Sequence, residues 1–305
     1  MNKFAHPHNM LYILAHSWGK GNVSMTENAE KHDSAGQREE FSGTAPFKAE
    51  KLCPGSYFPP GSTAKALPGT ALVTGASRGI GLAIAQALAE DGWNLILTCS
   101  KTGEVLDAAA RRISQNCGTC VRCAVCDMSD PSSVRSLFDG ISSLDLLVNN
   151  AGTAWYGLLQ DMSDAEWNRI LSVNLSSVFY TCRAAIPLFL RQGNGRIINI
   201  SSVWGDGGAA CEAAYSAAKG GVNALTGALA KELAPAGIPV NAVACGCVDT
   251  QMNAHLLAEE RAALMEEIPA GRFAAPEEIA ACVLRLAQMP AYLTGQIITV
   301  DGGWQ

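Results

Sequence analysis

From Gly69 onward the chain alternates short apolar runs with segments of helical period. TALVTG, at 70–75, is an apolar run closed by glycine and reads as a buried strand. IGLAIAQALAEDG follows with apolar residues three and four apart and a glycine at its end, the pattern of a helix with a stop signal. NLILTCS, at 94–100, is a second buried strand. The same alternation predicts a helix over 103–116, a strand over 119–126, a helix over 131–141 and a strand over 144–152. It continues with a long helix around 164–190, a strand over 195–202, a helix around 213–234 and a strand over 238–246. Helices near 252–266 and 276–288 and a strand over 296–303 complete the pattern.

Strands alternating with helices imply a parallel sheet covered on both faces. The expected fold is α/β: a single Rossmann-type, doubly wound parallel sheet spanning residues 67–305. Residues 1–66 read differently. They are rich in His, Lys, Glu, Ser, Gly and Pro and show no sustained period, and SYFPPGSTAKALPG at 56–69 has the composition of a linker. We expect a disordered N-terminal extension there, with Met25 as an alternative start of translation. Hydrophobic residues make up 48% of the 305 and charged residues 16%, which suits a well-buried core. The net charge of −6 argues against nucleic acid or an anionic membrane as partner. No uninterrupted apolar run approaches the ~20 residues of a membrane helix. Met10–Ala15 is too short for the apolar region of a secretory signal. The expected location is the cytoplasm, where the eleven cysteines remain thiols.

Four of those cysteines, Cys117, Cys120, Cys123 and Cys126, recur every third residue and raise the question of an iron–sulfur cluster or a zinc ion. A shared metal needs all its sulfurs around one centre, at ~2.3 Å each for zinc. The run falls on the expected third strand. There Cys120 and Cys126 share one face about 20 Å apart, at ~3.3 Å per residue, and Cys123 points the other way. We therefore expect thiols and no metal.

TGASRGIG, at 74–81, joins the first strand to the first helix. Gly75, Gly79 and Gly81 allow a tight turn and close approach of backbone to a pyrophosphate, and the helix N-terminus offers N–H groups to phosphate. An ordinary glycine-rich turn would look the same in isolation, so the strand–helix context carries the argument. The second strand ends Thr98-Cys99-Ser100-Lys101, without the acidic residue that binds a ribose 2′-hydroxyl. Arg78 and Lys101 bring positive charge instead, which favours a 2′-phosphate and hence NADPH.

YSAAK places Tyr215 and Lys219 four residues apart, on one face of a helix. A nearby ammonium lowers a tyrosine pKa from ~10 and equips the phenol for proton transfer. Ser202 closes the strand GRIINISS at its carboxyl end, where ligands of α/β sheets bind.

Together with NNAG at Asn149–Gly152 and Asn174 in SVNLSSV, these motifs resemble the short-chain dehydrogenase/reductase family over residues 70–304. The resemblance implies a catalytic tetrad of Asn174, Ser202, Tyr215 and Lys219. In it Tyr215 is the general acid, Lys219 holds the nicotinamide ribose, Ser202 positions the carbonyl and Asn174 anchors a water. It implies cofactor contacts from Gly75, Ser77, Arg78, Gly79, Ile80, Gly81, Ser100, Asp127, Met128, Asn150, Ala151, Gly152, Val248 and Thr250, besides Tyr215 and Lys219. It also implies a homodimer or homotetramer joined through the helices near 164–190 and 213–234. The family's Pro-Gly after the sixth strand is replaced here by Cys245-Gly246, which removes a fixed φ from that loop.

Within the family the chain is similar to bacterial 3-oxoacyl-acyl-carrier-protein reductases, through EWNRILSVNLSSVF, GRIINISSV, IPAGR and TGQ…VDGG. Those enzymes grip the acidic carrier with arginines near positions occupied here by Gly193 and Ala236; Arg183, Arg191 and Arg196 are the nearby candidates. Trp204 and Cys211-Glu212 are similar instead to the reductase of the 5-aminopentanone modification on elongation factor P. A carboxylate at Glu212 would suit a cationic amine if it faced the substrate, and would be inert if it faced solvent. Two ketone substrates thus stand open, carried on acyl carrier protein or on elongation factor P. A cofactor-binding regulator without turnover is the alternative of another class, against which the intact tetrad argues.

Overall fold

The computed structural model describes residues 69–101, 103–254 and 256–305. The extension expected over 1–66 and the possible start at Met25 lie outside the described residues. Seven strands form one sheet, all parallel: β1 (Thr70–Val73), β2 (Asn94–Cys99), β3 (Val121–Val125), β4 (Leu146–Asn149), β5 (Arg196–Ser202), β6 (Val240–Cys245) and β7 (Ile297–Val300). Their order in space is β3-β2-β1-β4-β5-β6-β7. The direction of winding reverses between β1 and β4, which opens a crevice at the carboxyl ends of those strands.

Alternation along the strands divides the interior into two cores. Ala71, Val73, Leu95, Leu97, Val121, Leu146 and Val148 face one side. They pack against α1 (Gly79–Glu90), α2 (Glu104–Cys117) and α8 (Pro276–Gln288). Leu72, Ile96, Ala124, Leu147, Ile197 and Val240 face the other. They pack against α3 (Pro131–Asp139), α5 (Ser177–Gln192) and α6 (Ala213–Leu233). Local chemistry sets the helix starts. Asp130 accepts the N–H groups of Ser132 and Ser133 at 3.0 and 3.1 Å, with Pro131 at the first position of α3. Ser163 and Glu166 form a capping box at α4 (Asp164–Leu171).

The long helix expected around 164–190 is interrupted. Between α4 and α5 the chain makes a π-helical turn over Ser172–Ser176. The segment Asp164–Gln192 is long and apolar enough to cross a membrane by length and composition. Here Val178, Cys182, Ala185, Leu188 and Phe189 are buried against the sheet, as in the core helix of a packed domain. The helix expected from 252 begins later, as α7 (Ala258–Glu267). Thr250 Oγ1 accepts the Met252 N–H at 3.3 Å and opens a short 3₁₀ turn first.

The strand expected over 119–126 is shorter, Val121–Val125, so of the four cysteines Cys123 lies on it, Cys117 ends α2, and Cys120 and Cys126 flank it. Cys123 lies in the core under α2 and Cys126 in the core on the opposite face of the sheet. Among the described residues no group of three or more His, Cys, Asp or Glu is arranged to hold a metal ion.

Candidate active site

At the switch point, β1 and β4 end in two loops bound tightly to one another. The Asn150 amide donates to the carbonyls of Thr74 and Gly75 at 2.9 and 3.1 Å. The backbone N–H groups of Asn150 and Ala151 both donate to Thr74 Oγ1, at 2.9 and 3.0 Å. Gly75 takes φ +64°, and a Cβ there would stand 2.9 Å from Ala151 Cα. Only glycine fits both conditions. The N-terminus of α1 has no side-chain cap and no acidic residue in its first turn. Its orphan N–H groups and positive dipole end thus remain for an anion. These features fit the pyrophosphate of a dinucleotide.

A cleft of about 750 Å³ runs from this loop across the carboxyl edge of the sheet. It brings together the residues expected to hold a cofactor: Gly75, Ser77, Arg78, Gly79, Ile80, Gly81, Ser100, Asp127, Met128, Asn150, Ala151, Gly152, Tyr215, Lys219, Val248 and Thr250. Lys101, Ser202, Trp204 and Glu212 line the same cleft. Arg78, Ser100 and Lys101 are exposed in it. Asp127 has one carboxylate oxygen engaged by Ser129, whose N–H and hydroxyl donate to Oδ1 at 2.9 and 2.6 Å.

Asn174 is the exception, fully buried behind the cleft wall in the π-helical turn. Its Oδ1 accepts the Thr153 N–H at 3.1 Å, and its amide donates to the carbonyls of Thr153 and Ile170 at 2.9 and 3.0 Å. Both amide hydrogens are therefore engaged, and the side chain clamps the end of the NNAG loop to the helix.

Ser202, Tyr215 and Lys219 converge at the end of β5. Ser202 Oγ is hydrogen-bonded to the Tyr215 hydroxyl and accepts the Trp204 N–H at 3.2 Å. Lys219 is buried and donates from Nζ to the Ile200 carbonyl at 2.8 Å. Burial brings its pKa down to about 8. Burial also pushes the Tyr215 hydroxyl above its ordinary value, reinforced by Cys245 and Glu212 and opposed by the Ser202 hydrogen bond. The direction is opposite to the one expected from the Tyr–Lys spacing, because desolvation of the phenol outweighs the stabilisation of its anion. Cys245 stands in register with Ser202 across β5 and β6, and burial pushes its thiol up to about 12.

Glu212 is half-buried in the cleft wall rather than turned to bulk solvent. Its charge raises the pKa of Tyr156, Tyr215 and Cys247 alike, so it lies near all three. Arg196, one of the arginines considered for gripping a carrier, is occupied elsewhere. It donates to the Leu286 and Met289 carbonyls at 3.0 and 2.6 Å and so caps the end of α8. Arg183 stacks over Phe179 at 4.7 Å on the exposed side of α5. Sequence reasoning missed Tyr156 and Trp304, which also line the cleft, as does Cys247 in the loop after β6. For Trp304 the only signal was a large aromatic residue just beyond the last strand.

The chain matches the family model described as short chain dehydrogenase over residues 69–261. It is 39% identical over 237 residues to an uncharacterized oxidoreductase, YmfI, of Bacillus subtilis, covering 77% of this chain and 98% of the relative. It is 41% identical over 238 residues to the 3-oxoacyl-acyl-carrier-protein reductase FabG of Escherichia coli, covering 76% and 96%. Among solved structures, a short-chain type dehydrogenase/reductase from Mycobacterium marinum superposes with a TM-score of 0.73 at 34% identity, over 78% of this chain and 96% of that one. A protein provisionally described as an NAD(P) dependent gluconate 5-dehydrogenase, from Beutenbergia cavernae with bound NADP at low occupancy, gives the same score and identity over 79% and 98%.

Proposed function

This chain belongs to the short-chain dehydrogenase/reductase family, and we propose that within it the protein is an NADPH-dependent reductase that converts a ketone to a secondary alcohol. The observation that carries this reading is the convergence of Ser202, Tyr215 and Lys219 on the cleft that begins at the glycine loop. When bound, the nicotinamide supplies hydride to the carbonyl carbon. Tyr215 gives its phenolic proton to the carbonyl oxygen. The phenol is protonated at neutral pH, and an adjacent positive charge would stabilise the phenolate as the proton leaves. Ser202 holds the same oxygen beside Tyr215. Lys219, fixed by the Ile200 carbonyl, would hold the ribose of the bound cofactor and would present its charge to the phenolate left after transfer. Asn174 holds the Gly152–Thr153 wall, and with its amide hydrogens engaged, a relay water would be anchored by its backbone carbonyl.

Arg78 and Lys101 would flank the 2′-phosphate, and the turn at α1 would hold the pyrophosphate. The bound NADP of the Beutenbergia structure supports this choice. NADPH oxidation by the purified protein with a 3-oxoacyl thioester, against Tyr215→Phe, tests the reading.

A second substrate is favoured by one observation, the Glu212 carboxylate inside the cleft. It suits a ketone that carries an amine, such as an aminopentanone on elongation factor P, better than the anionic arm of an acyl carrier. An amino-ketone assayed in parallel decides between them. Preference for the amine that is lost in Glu212→Gln supports the second substrate. We place a second copy of the chain against α5 and α6, as a homodimer or homotetramer.

A further inference from the structure

We propose that Trp304 is a specificity-determining residue and forms, with Trp204, the wall against which the substituent of the ketone packs. This deepens the reductase reading and rests on it. The Trp204 N–H donates to Ser202 Oγ at 3.2 Å, so this residue is anchored on the group that holds the carbonyl. Trp304 packs against the Trp204 ring edge-on, with centroids 4.8 Å apart and planes at 67°. Both residues line the cleft.

Trp304 is held by backbone bonds on either side of it. Asp301 Oδ1 accepts the Gly303 N–H at 2.9 Å and Oδ2 accepts the Gln305 N–H at 2.8 Å. One carboxylate thus brackets the residue between them. Asp301 is itself seated closely on the loop after β6, where a Cβ on Gly246 would come 2.7 Å from Asp301 Cβ. The Gly302 carbonyl accepts the Ala270 N–H at 3.1 Å. Asp301 is therefore a positioning residue for the indole, and the turn after β7 is a fixed part of the site. A fixed apolar ring packed on the residue that is bonded to Ser202 favours ketones with a slim apolar arm that lies along it, and excludes bulky groups from the same space.

The test is steady-state kinetics of W304A, W304F and D301N with a short aliphatic ketone and a bulky aryl ketone, together with NADPH binding followed by fluorescence. W304A is expected to raise KM for the aliphatic ketone about tenfold, the loss of one aromatic contact. kcat should change little, the NADPH Kd should hold, and kcat/KM for the aryl ketone should rise. W304F should recover most of the KM, and D301N should shift KM the same way by less. If W304A does not fold, W304F and D301N decide by the same criterion. An unchanged KM for every ketone turned over would overturn this inference alone. So would KM and NADPH Kd moving together, the mark of a loosened fold. No turnover of any ketone by the unaltered protein would overturn the reductase reading and this inference with it.

Discussion

Lys219 stands one helical turn from Tyr215 on α6, with its ammonium 5.6 Å from the centroid of the Tyr215 ring. The lysine is tied to the Ile200 carbonyl at 2.8 Å and the tyrosine to Ser202. β5 therefore positions both side chains. Replacing Tyr215 by Phe removes the proton donor and leaves the ring packing. We expect kcat for ketone reduction to fall by about 10²–10⁴-fold, with NADPH binding and thermal stability retained. Stopped-flow binding and a thermal melt beside the kinetic assay would check this.

The pH profile follows from the same pair. Tyr215 is raised and stays neutral through the assay range. Lys219 carries its charge below about pH 8 and loses it above. kcat/KM for reduction should therefore fall on the alkaline side with one apparent pKa near 8. Lys219→Arg, which cannot deprotonate there, should flatten that limb whatever its absolute rate.

The proposed preference for NADPH rests on Arg78 and Lys101. Arg78→Ala should weaken NADPH binding by about ten- to a hundredfold, the loss of one or two charge-assisted hydrogen bonds. NADH binding should change little. Equilibrium titration of both cofactors gives the ratio.

Much of this site was legible in the chain. Strand and helix period placed the sheet; the glycine turn, NNAG and Ser202 fell at carboxyl ends of strands and YSAAK on the helix after β5, and one cleft joins them. Other parts depend on contacts that no local pattern records. The π-helical turn at Ser172–Ser176 hides inside an unbroken apolar period, and the bond from the Thr153 N–H to Asn174 within it joins segments 21 residues apart. Arg196 reads as a free surface cation until α8 ends on it. The direction of the Tyr215 shift depends on burial, which spacing alone does not reveal. The place of Glu212 in the cleft wall depends on how the loop before α6 folds back.

Outside the site, Arg272 and Glu278 form an exposed two-pronged ion pair, at 2.7 and 2.8 Å, where α8 begins. The Arg272 bonds and the Ala275 N–H hold the Glu278 carboxyl down at about 2, from an ordinary value of 4.5. A depressed carboxylate stabilises the fold above its unfolded pKa and loses that contribution as pH falls through the folded one. Glu278→Gln should therefore lower Tm at neutral pH, and the difference from the unaltered protein should shrink between pH 4.5 and about 2. Melts across that window test it.

The most direct measurement is NADPH oxidation by the purified protein with a ketone, followed beside formation of the alcohol, with Tyr215→Phe in parallel. The account predicts one alcohol per NADPH consumed, and near-silence in the variant. NADPH consumption that persists without Tyr215, or no consumption with either the 3-oxoacyl thioester or the amino-ketone, would contradict it.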